Sequence, residues 1–283
     1  MPVQPILRFA PSPNGYLHLG HAFSALFTWR AAAQLGGVTL LRMEDTDPTR
    51  CKPEFDEAIV EDLHWLGVDW PEPVWRQSQR FPVYAQAAAH LDAMGLVYPC
   101  FCSRTEIAAA AIGTDPDGAP LYPGTCRHLT AAQVADRLGR GESAQYRLDS
   151  ARAIALAGML TYSVAQPAIT DRPQIRYARP ERWGDVVIQR KDTPTSYHLS
   201  VVVDDAAQDV THVTRGRDME AATDFHVLLQ TLLGLTAPTY TFHKLLLGPD
   251  GRKLAKSKGS PSLRDMRHEG WTATAIRNHL GFD

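Results

Sequence analysis

The chain has 283 residues, 44% of them hydrophobic and 21% charged, which is the composition of a globular protein that folds in water. A formal net charge of −2 argues against non-specific coating of nucleic acid, although one local RNA-binding surface is compatible with it. No apolar run is long enough to cross a bilayer, and the N-terminus lacks the basic start and apolar core of an export signal. We therefore expect a cytoplasmic protein without membrane contact.

The first fifty residues predict a strand, a helix and a second strand. The run 6–10 is apolar and ends in a turn rich in proline and glycine, and 38–43 is a second apolar run. Between them, apolar and small residues recur at helical spacing from 21 to 35, and Gly36 and Gly37 follow as a helix end. A βαβ unit of this kind implies a parallel sheet.

The rest of the chain alternates helices and strands around a segment of different character. Residues 96–185 contain three of the four cysteines and a stretch rich in glycine and proline, and they predict an inserted α+β subdomain. The predicted fold class is α/β, with a Rossmann-type parallel-sheet catalytic domain formed by 1–95 and 186–283. The other predicted helices lie near 54–66, 79–94, 130–139 and 219–233, with two short ones in the tail. The other predicted strands lie at 145–149, 185–190, 198–205, 209–216 and 239–243. Of these strands, we expect 185–190, 198–205 and 209–216 to return to the parallel sheet.

The motif HLGH occupies residues 18–21, at the predicted start of the first helix. A helix N-terminus presents free N–H groups and a partial positive charge, which attract phosphate. Gly20 allows a ligand to approach the backbone, and His18 and His21 add donors for phosphate oxygens. Taken alone, two histidines at a helix start are more often a cap or a surface pair.

The motif KLAKS occupies residues 253–257, in a polar stretch flanked by glycines. Lysine is a compact charge on a long stem, so Lys253 and Lys256 suit contacts to the β- and γ-phosphates of ATP. Such a stretch could close on ATP and stabilise the charge that moves onto pyrophosphate. Its ordinary interpretation, taken alone, is a solvated lysine-rich loop.

Together, HLGH and KLAKS resemble the HIGH and KMSKS signatures of class I aminoacyl-tRNA synthetases, with Leu19, Leu254 and Ala255 as departures. The stretches 8–21 (RFAPSPNGYLHLGH) and 40–50 (LLRMEDTDPTR) resemble the glutamyl branch of that class. The resemblance implies that the protein forms an aminoacyl-adenylate. It implies ATP with Mg²⁺ as co-substrate, catalytic roles for His18, His21 and Lys256, and an ATP site made of His18, Gly20, His21, Lys253, Lys256 and Ser257.

The same resemblance implies a site for L-glutamate. Its two arginines suit an amino acid with two carboxylates, because a guanidinium pairs with a carboxylate through two hydrogen bonds. Its acidic residue suits the ammonium group. From the residues alone, an equally good interpretation of Arg8 and Glu44 is a structural ion pair between neighbouring strands. The implied glutamate contacts are Arg8, Ala10, Ser12, Glu44, Tyr197 and Arg215.

Three cysteines, Cys100, Cys102 and Cys126, lie close together in the sequence, which predicts a structural zinc site within the insert. Three thiolates leave one position of a tetrahedral zinc site to fill. Spacing alone nominates His128, whereas the family resemblance points to Tyr122, which we follow. The alternative is three buried free cysteines.

The chain ends soon after KLAKS, so we expect no anticodon-binding domain of the kind found in glutamyl-tRNA synthetases. The truncation and the cysteine pattern resemble the glutamyl-Q tRNA(Asp) synthetase family, whose members attach glutamate to queuosine at the wobble position of tRNA(Asp). The expected partners are ATP, L-glutamate and queuosine-containing tRNA(Asp), and we expect a monomer. The alternatives are a truncated glutamyl-tRNA synthetase that charges a tRNA 3′ end and a non-catalytic RNA-binding paralogue.

Overall fold

The structure, a computed structural model, describes residues 4–247 and 261–282. It confirms the predicted βαβ unit: strands β1 (Ile6–Phe9) and β2 (Val38–Met43) pair in parallel and are connected through helix α1 (Leu19–Leu35). The helix starts two residues before the predicted position. It ends at Gly36, whose φ of 65° lies in the left-handed region that glycine adopts without strain.

Helices and strands alternate along the rest of the chain. The predicted helices at 54–66, 79–94, 130–139 and 219–233 and the predicted strands at 145–149, 209–216 and 239–243 lie within a few residues of the observed bounds. None of the helices in the described ranges is both long and apolar enough to cross a bilayer. In chain order these elements are α2 (Pro53–Trp65), β3 (Trp75–Arg76), α3 (Phe81–Ala93), β4 (Val97–Cys100), α4 (Arg104–Ala110), α5 (Ala131–Gly139), β5 (Gln145–Leu148), α6 (Ser150–Ala157), β6 (Thr161–Val164), β7 (Gln174–Tyr177), β8 (Val187–Gln189), α7 (Tyr197–Ala207), β9 (His212–Gly216), α8 (Ala222–Leu232), β10 (Thr239–His243), α9 (Leu263–His268) and α10 (Ala273–Leu280).

Parallel strands organise the larger part of the fold. Strands β1, β2 and β3 pair in parallel, as do β9, β10 and β6, and β7 runs antiparallel at the edge beside β6. The amide of Thr211 donates to the carbonyl of Ile6 over 2.9 Å, which sets the start of β9 beside β1. Strands β1, β2 and β9 therefore end side by side, at Phe9, Met43 and Gly216. In open α/β sheets, the crevice beyond such carboxyl ends is where ligands bind.

A second, antiparallel sheet contains β4, β5 and β8 in that order. The prediction that 185–190 returns to the parallel sheet is wrong, because β8 pairs antiparallel with β5 opposite Tyr146 and Arg147. In contrast, β6 pairs with β10 and joins the parallel strands. A short apolar run identifies a strand without identifying its neighbour, since tertiary packing selects the partner. The predicted bounds of the insert, 96–185, stay a prediction.

The prediction of a strand at 198–205 is also wrong, because these residues belong to helix α7. Every residue from Leu199 to Asp205 is buried, so the helix shows no polar face in the sequence. A short, continuous apolar run is compatible with a buried strand or a buried helix, and periodicity cannot separate the two. The β-branched run Val201–Val203 favoured the strand, and packing against neighbouring helices outweighs that weak propensity.

Two main apolar cores hold these elements together. The larger contains side chains from α3, α7, α8 and the adjoining strands, among them Leu199 and Phe225. The second packs α1 against α2, α9 and α10, around residues such as Leu26. The amide of Leu263 donates to the carbonyl of Leu17 over 2.7 Å. Helix α9 is therefore fixed beside the strand-to-helix turn that carries HLGH.

Candidate active site

A cleft of about 750 Å³ opens beyond the carboxyl ends of β1, β2 and β9. The cleft brings together the predicted ATP and glutamate contacts that the described residues include. The three remaining predicted residues, Lys253, Lys256 and Ser257, lie outside the described residues. The predicted residues that line the cleft are Arg8, Ala10, Ser12, His18, Gly20, His21, Glu44, Tyr197 and Arg215.

The two histidines of HLGH form a reciprocal cap at the start of α1. Nδ1 of His18 accepts from the Gly20 amide at 3.0 Å, and Nδ1 of His21 accepts from the His18 amide at 3.2 Å. Because both Nδ1 atoms accept, each neutral ring carries its proton on Nε2, the nitrogen that can donate. The ring centroids lie 3.9 Å apart. The cap interpretation and the phosphate interpretation are thus compatible, because capping uses one nitrogen of each ring.

The reason for glycine at position 20 differs from the predicted one. We expected Gly20 to leave room for a ligand, but the His18 ring occupies part of that room. A Cβ at position 20 would lie 2.9 Å from Cε1 and 3.1 Å from Nδ1 of His18. Glycine is needed here because the His18 ring folds back over the first turn to make its cap.

Arg8 does not pair with Glu44, which was the structural alternative considered for this pair. Nε of Arg8 donates to Asp205 at 3.0 Å, while Glu44 lies 3.3 Å from a terminal nitrogen of Arg42. That nitrogen of Arg42 also lies 2.9 Å from Asp205, and Nε of Arg42 lies 3.9 Å from Asp204. Two arginines and three acids therefore form one network beneath the cleft.

Asp204 connects this network to side chains of α3 and of the turn before it. Its carboxylate accepts from Gln77 at 3.0 Å, from Arg80 at 2.7 Å and from the Tyr84 hydroxyl at 2.7 Å. It is fully buried, and a buried carboxylate is tolerated when it is paired and hydrogen-bonded in this way. The contacts join α3 and the turn before it to the C-terminal half of α7.

Three functionally placed residues were not predicted: Arg42, Asp204 and Asp205. Arg42 is fully buried although it carries a charge. A charged residue inside an apolar run such as VTLLRM (38–43) signals a buried ion pair, because an unpaired charge is rarely buried. Asp204 and Asp205 directly follow the apolar run of α7, and two acids in that position likewise signal a buried ion pair.

Arg215 is held differently from the other arginines at the cleft. It is buried, and a terminal nitrogen lies 3.2 Å from Nδ1 of His226. Its Nε is buried, and none of the described residues forms a hydrogen bond with it. Within residues 4–247 and 261–282, no carboxylate lies within ion-pair distance of Arg215.

Burial raises the pKa of Glu44, against the opposing effect of Arg42 and Arg8. Burial likewise raises the pKa of Tyr197 to about 12, so its hydroxyl is neutral at physiological pH. Tyr197 begins α7 and lines the cleft together with Arg215. The predicted glutamate contacts thus offer two buried cations, one acid and one neutral phenol.

The three predicted metal-ligating cysteines converge in space. The sulfur atoms of Cys100, Cys102 and Cys126 all lie within 4.8 Å of one another, and those of Cys102 and Cys126 are 3.6 Å apart. Sulfurs bound tetrahedrally to zinc at ~2.3 Å would lie about 3.8 Å apart. The donor set and its spacing therefore fit zinc.

Tyr122, rather than His128, lies beside these thiols. The Tyr122 hydroxyl accepts from the Cys126 amide at 2.8 Å, and burial together with a hydrogen bond to Cys100 raises its pKa. His128 is exposed and does not share the cluster. Although burial opposes it, hydrogen bonds from Tyr122 and Arg147 lower the pKa of Cys100 to about 7. A thiol with a lowered pKa supplies the thiolate that binds metal.

Comparison with known proteins identifies the family. The family described as "tRNA synthetases class I (E and Q), catalytic domain" matches residues 6–281. The chain is similar to a glutamyl-Q tRNA(Asp) synthetase of Rhodobacter capsulatus, at 44% identity over 98% of this chain and 99% of that protein. It is also similar to glutamate–tRNA ligase 2 of Acidithiobacillus ferrooxidans, at 40% identity over 96% of this chain and 56% of that protein.

A solved structure shows the same fold. The glutamate-tRNA synthetase of Elizabethkingia anophelis matches with a TM-score of 0.78 at 25% identity, over 98% of this chain and 61% of that one. The chain thus spans little more than half the length of this synthetase and of the Acidithiobacillus ligase. The family match extends from the start of β1 to the residue after α10. The chain therefore belongs to the class I tRNA synthetases of the E and Q group, a family of ATP-dependent ligases.

Proposed function

We propose that the protein activates L-glutamate with ATP and transfers the glutamate to queuosine at the wobble position of tRNA(Asp). The observation that carries the first step is one cleft that contains both a capped helix N-terminus and a buried arginine, Arg215, which has no carboxylate partner among the residues that the structure describes. The first feature suits phosphate and the second suits a carboxylate. The adenylation reaction needs these two ligands side by side.

The start of α1 is the proposed phosphate site. His18 and His21 would donate through Nε2 to oxygens of the α-phosphate, and the partial positive charge of the helix end adds to that attraction. Lys253 and Lys256 are proposed contacts to the departing phosphates, with Ser257 beside them. Mg²⁺ bound with ATP would supply further charge neutralisation to the phosphates.

The glutamate site is proposed to lie deeper in the same cleft. Arg8 and Arg215 would pair with the two substrate carboxylates, and Glu44 would hold the ammonium. A nearby cation would return the pKa of Glu44 toward its usual value, so ammonium binding favours the ionised carboxylate. The remaining contacts would come from Ala10, Ser12 and the Tyr197 hydroxyl.

The proposed reaction needs alignment rather than a protein nucleophile. An oxygen of the glutamate α-carboxylate attacks the α-phosphorus of ATP, the bond to the bridging oxygen breaks, and pyrophosphate leaves. Charge moves onto the pyrophosphate, where His18, His21 and Lys256 would stabilise it. In the second step, a hydroxyl of the acceptor attacks the activated carbonyl and AMP leaves.

A second cleft, of about 860 Å³, adjoins the first and is the proposed route of the acceptor. Its lining includes Arg147, Trp183 and Arg190, and Tyr197 lines both clefts. Guanidinium and aromatic side chains suit phosphate contacts and base stacking. The acceptor nucleoside would therefore reach the adenylate past Tyr197.

The proposed metal role is structural. Cys100, Cys102, Cys126 and Tyr122 would hold one zinc ion, and none of them lines the first cleft. The ion would fix the loop-rich part of the chain that borders the second cleft, to which Cys102 and Tyr122 contribute.

Queuosine as the acceptor is supported by the full-length similarity to the Rhodobacter capsulatus protein of that name. The test is to incubate the protein with ATP, Mg²⁺, labelled glutamate and tRNA(Asp) with or without queuosine. The expected result is label on an anticodon fragment of the modified tRNA only. Equal labelling of tRNA that lacks queuosine would contradict the proposal.

A second candidate is aminoacylation of a tRNA 3′ end. The observation in its favour is the 40% identity to the Acidithiobacillus ferrooxidans ligase over 96% of this chain. The same experiment separates the two candidates, because label on the 3′-terminal fragment would support the second and exclude the first.

A further inference from the structure

Three buried arginines at or beneath the first cleft, Arg8, Arg42 and Arg215, differ in how far their charge is neutralised. Arg42 has Asp205 at 2.9 Å, Glu44 at 3.3 Å and Asp204 at 3.9 Å. Arg8 shares Asp205 at 3.0 Å. Both guanidinium groups are therefore compensated by carboxylates of the protein itself.

Arg215 has no such carboxylate among the described residues. The positive charge of Arg215 helps to lower the pKa of the Asp205 carboxyl, but Arg215 and Asp205 are not in ion-pair contact. The polar side chain that holds Arg215 is His226, whose Nδ1 lies 3.2 Å from a terminal nitrogen of the guanidinium. The aromatic face of Tyr240 lies 5.0 Å from the guanidinium carbon and adds a weak attraction.

His226 is suited to be a neutral partner. It is 1% exposed, and its Nε2 lies 3.1 Å from Nδ1 of His198. Arginine can only donate, so Nδ1 of His226 accepts, Nε2 carries the proton, and that proton is donated to His198. Burial and the charge of Arg215 hold the pKa of His226 well below its usual value and that of His198 at about 4.

The two imidazoles therefore orient Arg215 through a chain of hydrogen bonds that carries no charge. A carboxylate at position 226 would orient the guanidinium equally well but would neutralise it. In a site of low dielectric, a neutralised guanidinium attracts a second carboxylate much less strongly.

We propose that His226 is a positioning residue that determines the affinity for the acidic substrate, because it fixes Arg215 with a neutral acceptor and leaves its charge for a substrate carboxylate. His198 acts behind it by fixing the His226 tautomer. The inference rests on the proposed function, since it assigns the carboxylate partner of Arg215 to the substrate.

The test compares three substitutions in the full chain by glutamate-dependent ATP–pyrophosphate exchange. His226→Asn keeps an acceptor near the position of Nδ1, His226→Leu removes the acceptor, and His226→Asp adds a charge to it. We expect the KM for glutamate to stay within about threefold of wild type for Asn, to rise at least about fivefold for Leu, and to rise at least about thirtyfold for Asp. The KM for ATP should change less than about twofold in all three, because Arg215 does not belong to the phosphate site.

Thermal unfolding of each variant identifies loss of fold. If His226→Asp does not fold, the comparison of His226→Leu with His226→Asn still tests the proposal, since both of these side chains are neutral. Equal glutamate KM values for Asn and Leu, or for Asn and Asp, would overturn the proposal. Failure of the wild-type protein to support exchange would instead overturn the proposed function.

Discussion

The ring of His18 folds back over Gly20, so that Nδ1 accepts the Gly20 amide hydrogen at 3.0 Å and Cε1 fills the space of the missing side chain. The cap of α1 and the absence of a side chain at position 20 are therefore one structural feature. Any Cβ there must displace the ring that is proposed to meet ATP.

Gly20→Ala is expected to push the His18 ring out of its capping position. The lost cap should lower the free energy of unfolding by about 1 kcal/mol, and the displaced ring should lower kcat/KM for ATP at least tenfold. Exchange kinetics and denaturant unfolding measure both effects. Gly139→Ala is the matched control, because a Cβ at position 139 meets nothing within 4 Å. Equal behaviour of the two variants would contradict the steric account.

Asp205→Asn is expected to leave Arg8 and Arg42 without the carboxylate they share. Removing one partner of a buried ion network costs about 3 to 5 kcal/mol, because the opposite charges remain buried. Urea unfolding measures this loss. Asp136→Asn is the control, since its ion pair with Arg140 is exposed on both sides and contributes less than about 1 kcal/mol. A loss at position 205 no larger than that at position 136 would show that the network does not depend on Asp205.

Asp62 gives a prediction for the dependence of stability on pH. Its carboxylate is buried, and neither oxygen has a hydrogen-bond partner in the described part of the chain. Burial raises its pKa to about 6, although Arg267 opposes this at 3.6 Å. Because the folded pKa lies above the unfolded one, the folded state binds more protons between pH 4 and pH 6, and ionisation lowers stability as the pH rises through that window.

The stability of Asp62→Asn relative to wild type should therefore improve by about 2 kcal/mol from pH 4.5 to pH 7.5. Other titrating groups cancel in this difference. Denaturant unfolding at both values measures it. Glu61→Gln is the control, because Glu61 also pairs with Arg267 but is 63% exposed. A pH-independent difference for Asp62→Asn would contradict the prediction.

The zinc site gives a prediction of metal content. We expect one zinc per chain by elemental analysis, a strong loss in Cys126→Ser, weaker retention in Tyr122→Phe, and full retention in His128→Ala. Chelation should lower the melting temperature of the wild-type protein, because a structural metal contributes to folding. Loss of zinc in His128→Ala with retention in Tyr122→Phe would reverse the assignment of the fourth ligand.

The sequence predicted the local parts of the site better than their partners. His18, Gly20 and His21 lie on one turn, so their pattern alone indicated a helix start, and the structure places them there. The partner of Arg8 was not predictable in this way, because Asp205 lies 197 residues further along the chain. Such a contact depends on the packing of β1 beside the end of α7, which no local pattern records.

The same limit explains the two wrong strand predictions. The run Leu199–Asp205 is buried on all sides, and β8 selects a partner in the antiparallel sheet, so both outcomes were decided by tertiary surroundings. His226 was missed because it lies within the apolar run of α8, where a single histidine usually signals only a satisfied core residue. Its role becomes visible once Arg215 is seen beside it.

The buried ion network beneath the first cleft is balanced in charge. Arg215 stands outside this compensated set, so the network and Arg215 together carry one positive charge. L-Glutamate, with two carboxylates and one ammonium, carries one negative charge, which would match the charge of Arg215, whereas glutamine carries no net charge. The compensated set consists of the cations Arg8, Arg42 and Arg80 and the anions Glu44, Asp204 and Asp205.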